Sequence, residues 1–221
     1  MALIYVVVLS EVLSAKLGGI EKPGAYAVYL LAGITAWGLF AEILNRSLSM
    51  FLEYANTMKK IAFPKIFLPV VVLGGALINN GLLVLAVASI IALYGFYPSF
   101  DWFAILAAMF VTILLAFGLG IFLGVLNVFA RDVSQVMLVV MNVWFWLTPI
   151  VYAKSMVSLP VQNLIDLNPM TPVVAIYQDV IVGSAPPDFV ALLYPLALGA
   201  CFMFASSVVF WRATPELVDA L

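Results

Sequence analysis

Residues Asn45 to Pro69 read NRSLSMFLEYANTMKKIAFPKIFLP, the one long run in which charge is dense, with apolar sequence on both sides. Four of the nine basic residues, Arg46, Lys59, Lys60 and Lys65, fall inside it. Leu48, Phe51, Leu52, Ala55 and Met58 recur at helical spacing, while Arg46, Ser49, Glu53, Asn56 and Lys60 lie largely elsewhere on the same helix. The pattern is an amphipathic helix ended by Pro64, whose ring nitrogen offers no hydrogen to an ongoing helix. Two roles fit it. One is an ordinary surface loop between two spans; the other is a short docking helix at the membrane surface.

Outward from this stretch the chain is apolar. Its 221 residues are 66% hydrophobic and 9% charged, against about 25% charged in soluble domains. That composition belongs in a bilayer. A net charge of −2 and the lack of a basic patch with interleaved aromatics give no sign of a nucleic-acid partner. A single cysteine, Cys201, excludes an intrachain disulfide and a cysteine metal cluster. With no histidine, the chain has no Ser-His-Asp triad, no zinc-protease helix motif and none of the commonest metal ligand.

Taken in order, Met1 to about Leu17 reads as a short first span; it lacks the basic leader and cleavage site of a signal peptide. Gly18, Gly19, Pro23 and Gly24 make a turn, and Ala25 to Leu44 is the second span, with Glu42 near its end. Phe67 to about Gly95 is the third, carrying Asn79 and Asn80 at its middle, and Trp102 to Leu126 the fourth. Gln135 to Tyr152 is the fifth, dense in aromatics. Residues 153–188 hold Pro160, Pro169, Pro172, Pro186 and Pro187 yet stay apolar, which suits two half-length helices dipping into the outer membrane surface. Asn168-Pro169 and Thr171-Pro172 each resemble a cap before a helix-starting proline, and Gly183 a helix stop. Phe189 to Trp211 is the last span and Arg212 to Leu221 a polar tail. If the Asn45–Pro69 loop is cytoplasmic, that side gathers Arg46, Lys59, Lys60, Lys65, Arg131 and Arg212 against Lys16, Lys22 and Lys154 opposite. Both termini then face the cytoplasm.

Few residues offer chemistry. The phosphate-binding pattern GxxxxGK[ST] is absent, so the chain shows no means of hydrolysing nucleotide itself. Gly118, Gly120 and Gly124 lie within an unbroken apolar span and mark a close helix contact rather than a dinucleotide loop. Charges at the membrane centre cost about 2.5–3.5 kcal/mol each on insertion scales. Glu11 and Glu42 lie towards span ends, where they are expected to reach the interface. Asn79 and Asn80 are expected to bond between helices, and Arg131-Asp132 to pair locally or cap the fifth span. Trp144 and Trp146, two residues apart, point to different helix faces, so at least one meets another helix or a cavity instead of lipid. No catalytic residue and no metal ligand set is expected.

Four motifs together resemble a known family. KKIAFPKIFLP (Lys59 to Pro69), LNVFARDV (Leu126 to Val133), FWLTPIVY (Phe145 to Tyr152) and LNPMTPVVAIYQDVIVG (Leu167 to Gly183) look like the ABC type-2 permeases. Within them, the branch exporting O-antigen, capsule or teichoic-acid polysaccharides is the most similar. The resemblance implies an all-α, polytopic membrane bundle of about six transmembrane helices, with two short re-entrant helices on the periplasmic side before the last span. It also implies one permease domain over 1–221, set in a bacterial inner membrane among its lipids. A second copy of the chain would complete the pore, and two separate ATPase subunits would carry the ATP and magnesium.

The resemblance further assigns roles. The segment 45–66 would dock on the ATPase, with Glu53, Tyr54, Asn56, Lys59 and Lys60 as contacts. Tyr5, Trp144, Phe145 and Trp146 would line the path of a lipid-linked polysaccharide. Residues 153–188 would form the outer gate, including Tyr152 at its edge and Asn168, Pro169, Met170, Thr171, Pro172 and Tyr177. Family members usually begin with a cytoplasmic amphipathic helix, whereas this sequence opens inside its first span; the expectation is an N-terminal truncation. A permease for a drug or small lipid would share the fold. An intramembrane glycan or phospholipid transferase would need clustered acids that the sequence scatters.

Overall fold

Long apolar runs without interior prolines make long helices. The computed structural model describes residues 25–55, 67–93, 95, 99–183 and 185–220. The expected first span, 1–17, with Tyr5, lies outside the described residues, as do Asn56, Lys59 and Lys60. Among the described residues seven α-helices follow one another: α1 (Ala25–Glu53), α2 (Phe67–Leu93), α3 (Phe103–Phe129), α4 (Asp132–Leu147), α5 (Leu159–Asp166), α6 (Met170–Val182) and α7 (Leu193–Ala220). The described residues form no strand. The all-α membrane bundle is thus as expected. Among the described residues four helical stretches, Ala25–Glu53, Phe67–Ala92, Phe100–Phe129 and Leu193–Ala213, are long and apolar enough to cross a membrane.

Glycine decides how α3 sits. A Cβ on Gly120 would come within 2.6 Å of the Ser47 Cβ, and one on Gly124 within 2.5 Å of the Ser47 carbonyl oxygen. On the other side, a Cβ on Gly118 would meet the Met203 backbone nitrogen at 2.6 Å, and one on Gly199 the Leu115 nitrogen at 2.9 Å. Backbones this close maximise dispersion contact where lipid supplies no hydrophobic drive. So α3 is clamped between α1 and α7, with Phe51 stacked on Phe210 at 5.8 Å between ring centres. By contrast, among the described residues α2 packs mainly on α1 and otherwise presents Val70, Val71, Ile78, Leu82 and Leu85 outward.

Several boundaries differ from the sequence expectation, each for a physical reason. Residues 45–53 are no separate surface helix but the continuation of α1. No glycine or proline interrupts Leu39 to Glu53, the Glu42–Arg46 pair spans one turn at 2.9 Å, and Ser49 bonds Glu53 at 2.6 Å. Leu48, Met50 and Phe51 accordingly lie in the core instead of on a membrane surface. The fifth span starts earlier and stops at Leu147: α4 has 16 residues, about 24 Å, short of a hydrocarbon core of about 30 Å. The polar tail expected from Arg212 continues the last helix, since α7 runs to Ala220.

The two half-length helices exist. α6 ends at Gly183, whose φ of 72° places it in the left-handed cap conformation. Its start departs from expectation. Pro169 is the capping position, and Thr171-Pro172 sits inside the first turn, where the Thr171 hydroxyl donates back to the Ile165 carbonyl at 2.8 Å. Proline is tolerated there because first-turn nitrogens need no helical partner. α6 packs on α1 and α3 with most of its residues buried, whereas α5 is largely exposed.

Candidate functional site

The apolar sequence of α1 carries aromatics at Trp37 and Phe40, on the side that meets α4. Trp144 stands edge-on to Phe40 at 5.0 Å and to Trp37 at 6.3 Å, and Phe145 is edge-on to Trp37 at 5.7 Å. Trp146 turns away and is 56% exposed. The two tryptophans therefore do face different ways: Trp144 inward, Trp146 outward.

Trp144 also joins this aromatic cluster to the half-helices. Its indole Nε1 donates to Asn168 Oδ1 at 2.8 Å, and the same oxygen accepts the Met170 backbone N–H at 2.9 Å. Asn168 Nδ2 donates in turn to the Thr148 hydroxyl at 2.8 Å. One carboxamide so ties the end of α4, the α5–α6 turn and the start of α6. An apolar groove of about 450 Å³ opens beside it, walled by Val140, Val143, Trp144, Leu147, Leu164 and Asn168.

The irregular run after α4 is held by hydroxyls and an amide from other helices. Tyr26 donates to the Val151 carbonyl at 2.9 Å, and Tyr29 reaches the Tyr152 carbonyl at 3.3 Å. Gln178 donates to the Pro149 carbonyl at 3.2 Å. Non-helical backbone in a membrane protein is tolerated where such partners replace water. The Tyr152 hydroxyl donates to the Trp146 carbonyl at 3.2 Å, and Lys154 pairs with Asp166. Of the remaining residues expected in the gate, Pro169 and Pro172 are half-buried, while Met170, Thr171 and Tyr177 are buried within the bundle. Tyr177 is 1% exposed, and its hydroxyl has no partner among the described residues.

At the far end of α1, Glu53 and Tyr54 are exposed. Asn127, which nothing in its motif singles out, braces this end. Its Nδ2 donates to the Leu48 carbonyl at 3.2 Å and its Oδ1 accepts the Ser134 N–H at 3.1 Å. It does the capping of α4 expected of Arg131-Asp132, whose side chains form no cap bond. Asn79 bonds across helices as expected, its Nδ2 donating to Glu42 Oε1 at 2.8 Å. Asn80 does not: it is 2% exposed and its carboxamide is unpartnered among the described residues. Among those residues, His, Cys, Asp and Glu nowhere gather in the threes a metal ion needs.

A model of a known family, described as ABC-2 type transporter, matches residues 1–182. The chain belongs to the ABC-2 type transporter family. Four helices long enough to cross a bilayer make this family member a multi-pass membrane protein. Two relatives from Klebsiella pneumoniae, each named O-antigen export system permease protein RfbA, are 27% and 26% identical over 175 and 174 residues. Each alignment covers 76% of this chain and 66% of the relative, so the chain spans just under two thirds of their length. A relative of the same name from Myxococcus xanthus is 23% identical over 223 residues, 99% of this chain and 83% of that one.

Proposed function

We propose that the chain is the membrane-spanning permease subunit of an ABC exporter that moves a lipid-linked polysaccharide, of O-antigen, capsule or teichoic-acid type, out of the cytoplasm. The substrate class is supported by relatives named for O-antigen export. ATP and magnesium act on a separate ATPase subunit, present in two copies beneath a pore formed by two copies of this chain. The setting is the bacterial inner membrane, with both termini cytoplasmic.

The observation that carries the mechanism is the unbroken length of α1. One helix of 29 residues, about 43 Å, holds the docking residue Glu53 at one end and Tyr26 and Tyr29 at the other. Between them Trp37 and Phe40 grip Trp144. ATPase closure against Glu53, Tyr54, Asn56, Lys59 and Lys60 would move α1 as a rigid lever. The movement would reach the sugar path (Tyr5, Trp144, Phe145, Trp146) and, through Asn168, the gate of Tyr152, Pro169, Met170, Thr171, Pro172 and Tyr177. This chain binds substrate and transmits motion; bond cleavage belongs to the ATPase.

The test is purification of a tagged full chain in mild detergent, followed through the ATPase it brings down and the glycan its loss leaves behind. A stoichiometric ATPase, together with lipid-linked glycan trapped in the cytoplasm of cells lacking the protein, is the expected result. Replacing Glu53 and Lys60 together should abolish export while membrane insertion persists. A co-purifying ATPase without trapped glycan would redirect the substrate to a drug or small lipid. A magnesium-dependent transferase activity in the isolated chain would overturn the assignment.

A further inference from the structure

The charged pair on α1 lies deeper than its sequence position announces. Glu42 and Asn79 are bonded at 2.8 Å, a Cβ on Gly75 would meet Arg46 Nη1 at 3.3 Å, and one on Gly38 would meet Leu83 at 3.7 Å. These three pairings share one antiparallel register. It sets Glu42 opposite the middle of α2, since Asn80 is the central residue of that helix and Asn79 precedes it. Arg46 follows one turn later, about 6 Å along the axis, still inside a core of about 30 Å. On this register the Glu42–Arg46 ion pair lies beside the middle of α2, away from its ends.

Such a pair is costly against lipid and is kept where it faces protein or water. The described residues leave it partly open: the Arg46 side chain is 45% and the Glu42 side chain 25% exposed. Asn45, between them in sequence, is exposed and makes no hydrogen bond among the described residues. Beside Asn45, α1 and α4 enclose a groove of about 380 Å³, shared by Asn142, Phe145 and Trp146, a volume within the range of small-ligand sites. Asn142 spends its Nδ2 on the Leu138 carbonyl, leaving its oxygen free to accept.

We infer that this face of α1 (Glu42, Asn45 and Arg46), with Asn142 of α4, is a water-lined wall of the translocation path that binds uncharged sugar hydroxyls. The inference rests on the polysaccharide assignment for the identity of the ligand, and on depth and exposure alone for the water. The ligand chemistry follows from the residues. Glu42 neutralises Arg46, so the wall carries no net charge to hold a phosphate. Carboxamides, a carboxylate and a guanidinium supply both donors and acceptors for hydroxyls. Phe145 and Trp146 offer faces for the apolar C–H side of a sugar ring.

Cysteine labelling in the ATPase-bound full chain tests the wall. In a Cys201→Ser background, which removes the exposed native thiol, Asn45→Cys is compared with Ile78→Cys, at similar depth on the outward face of α2. Because the reacting species is the thiolate, a water-facing position should react at least about tenfold faster with a membrane-impermeant thiosulfonate. Equal rates would overturn the inference. For the ligand, Asn45→Leu with Asn142→Leu should cut glycan export severalfold with ATPase co-purification intact, and Asn45→Gln with Asn142→Gln should restore it. Unchanged export in the leucine pair would overturn the sugar role. Fast labelling without any glycan trapped on deletion would instead sink the polysaccharide assignment and leave the aqueous wall standing.

Discussion

Asn168 ties the end of α4 to the start of α6, because one planar carboxamide serves three partners at once. It accepts from Trp144 and from the Met170 backbone, and donates to Thr148. Alanine there would strand an indole N–H and a backbone N–H in a half-buried site, at about 1–3 kcal/mol for each unsatisfied group. Asn168→Ala should lower the midpoint of thermal unfolding in detergent and weaken export. Asn168→Asp, which keeps both acceptor roles, should recover much of the lost stability, and an Asp variant no better than Ala would argue against the bond to Trp144. Trp144→Phe should keep the ring contacts to Trp37 and Phe40 yet lose the link to Asn168. Export should then fall more than stability, read as transport rate against melting temperature.

At the scale of elements, α3 is placed by absence of side chains. The Gly124 backbone lies so near Ser47 that a valine would drive its branched carbon into a backbone carbonyl, which cannot move aside as a side chain can. Overpacking of this kind costs about 1–3 kcal/mol or more, so Gly124→Val should lower yield and thermal stability of the detergent-solubilised protein. Gly74 on α2 has nothing within 4 Å of the same position. Gly74→Ala should therefore be neutral or slightly stabilising, and equal damage from both would refute the close-packing account. The contrast between helices also has a mechanical side. α3 is clamped on two faces, whereas α2 hangs on α1 through its packing and the Asn79–Glu42 bond.

For the whole molecule the prediction concerns orientation. Basic residues crowd the end of α1 and the sequence after it, the α3–α4 turn and the C-terminal part of α7, and such residues resist translocation. A reporter active only in the cytoplasm, fused after Leu221, should be active. One inserted in the exposed segment near Leu159 of α5 should be silent. The reverse pattern would invert the assignment of gate and docking ends, while leaving the helix packing untouched.

Much of this architecture was legible in the chain itself. Apolar runs of span length, the glycine spacing of 120 and 124, the prolines of 153–188 and the Gly183 stop fixed a helical membrane bundle with two short helices before the last span. Those features act locally, through backbone hydrogen bonding and the conformational limits of glycine and proline, so sequence suffices to read them. Depth and company are different. That Glu42 meets Asn79 at the middle of α2 follows from the register of α1 against α2, and that Asn168 reaches Trp144 follows from how the α5–α6 turn folds back on α4. Nor could periodicity reveal that residues 45–53 prolong α1 into the core, since an amphipathic face looks alike whether lipid headgroups or Gly120 and Gly124 cover it. Sequence determined which segments are helical and which faces are apolar; only tertiary packing decided what each face meets, because that depends on residues far apart in the chain.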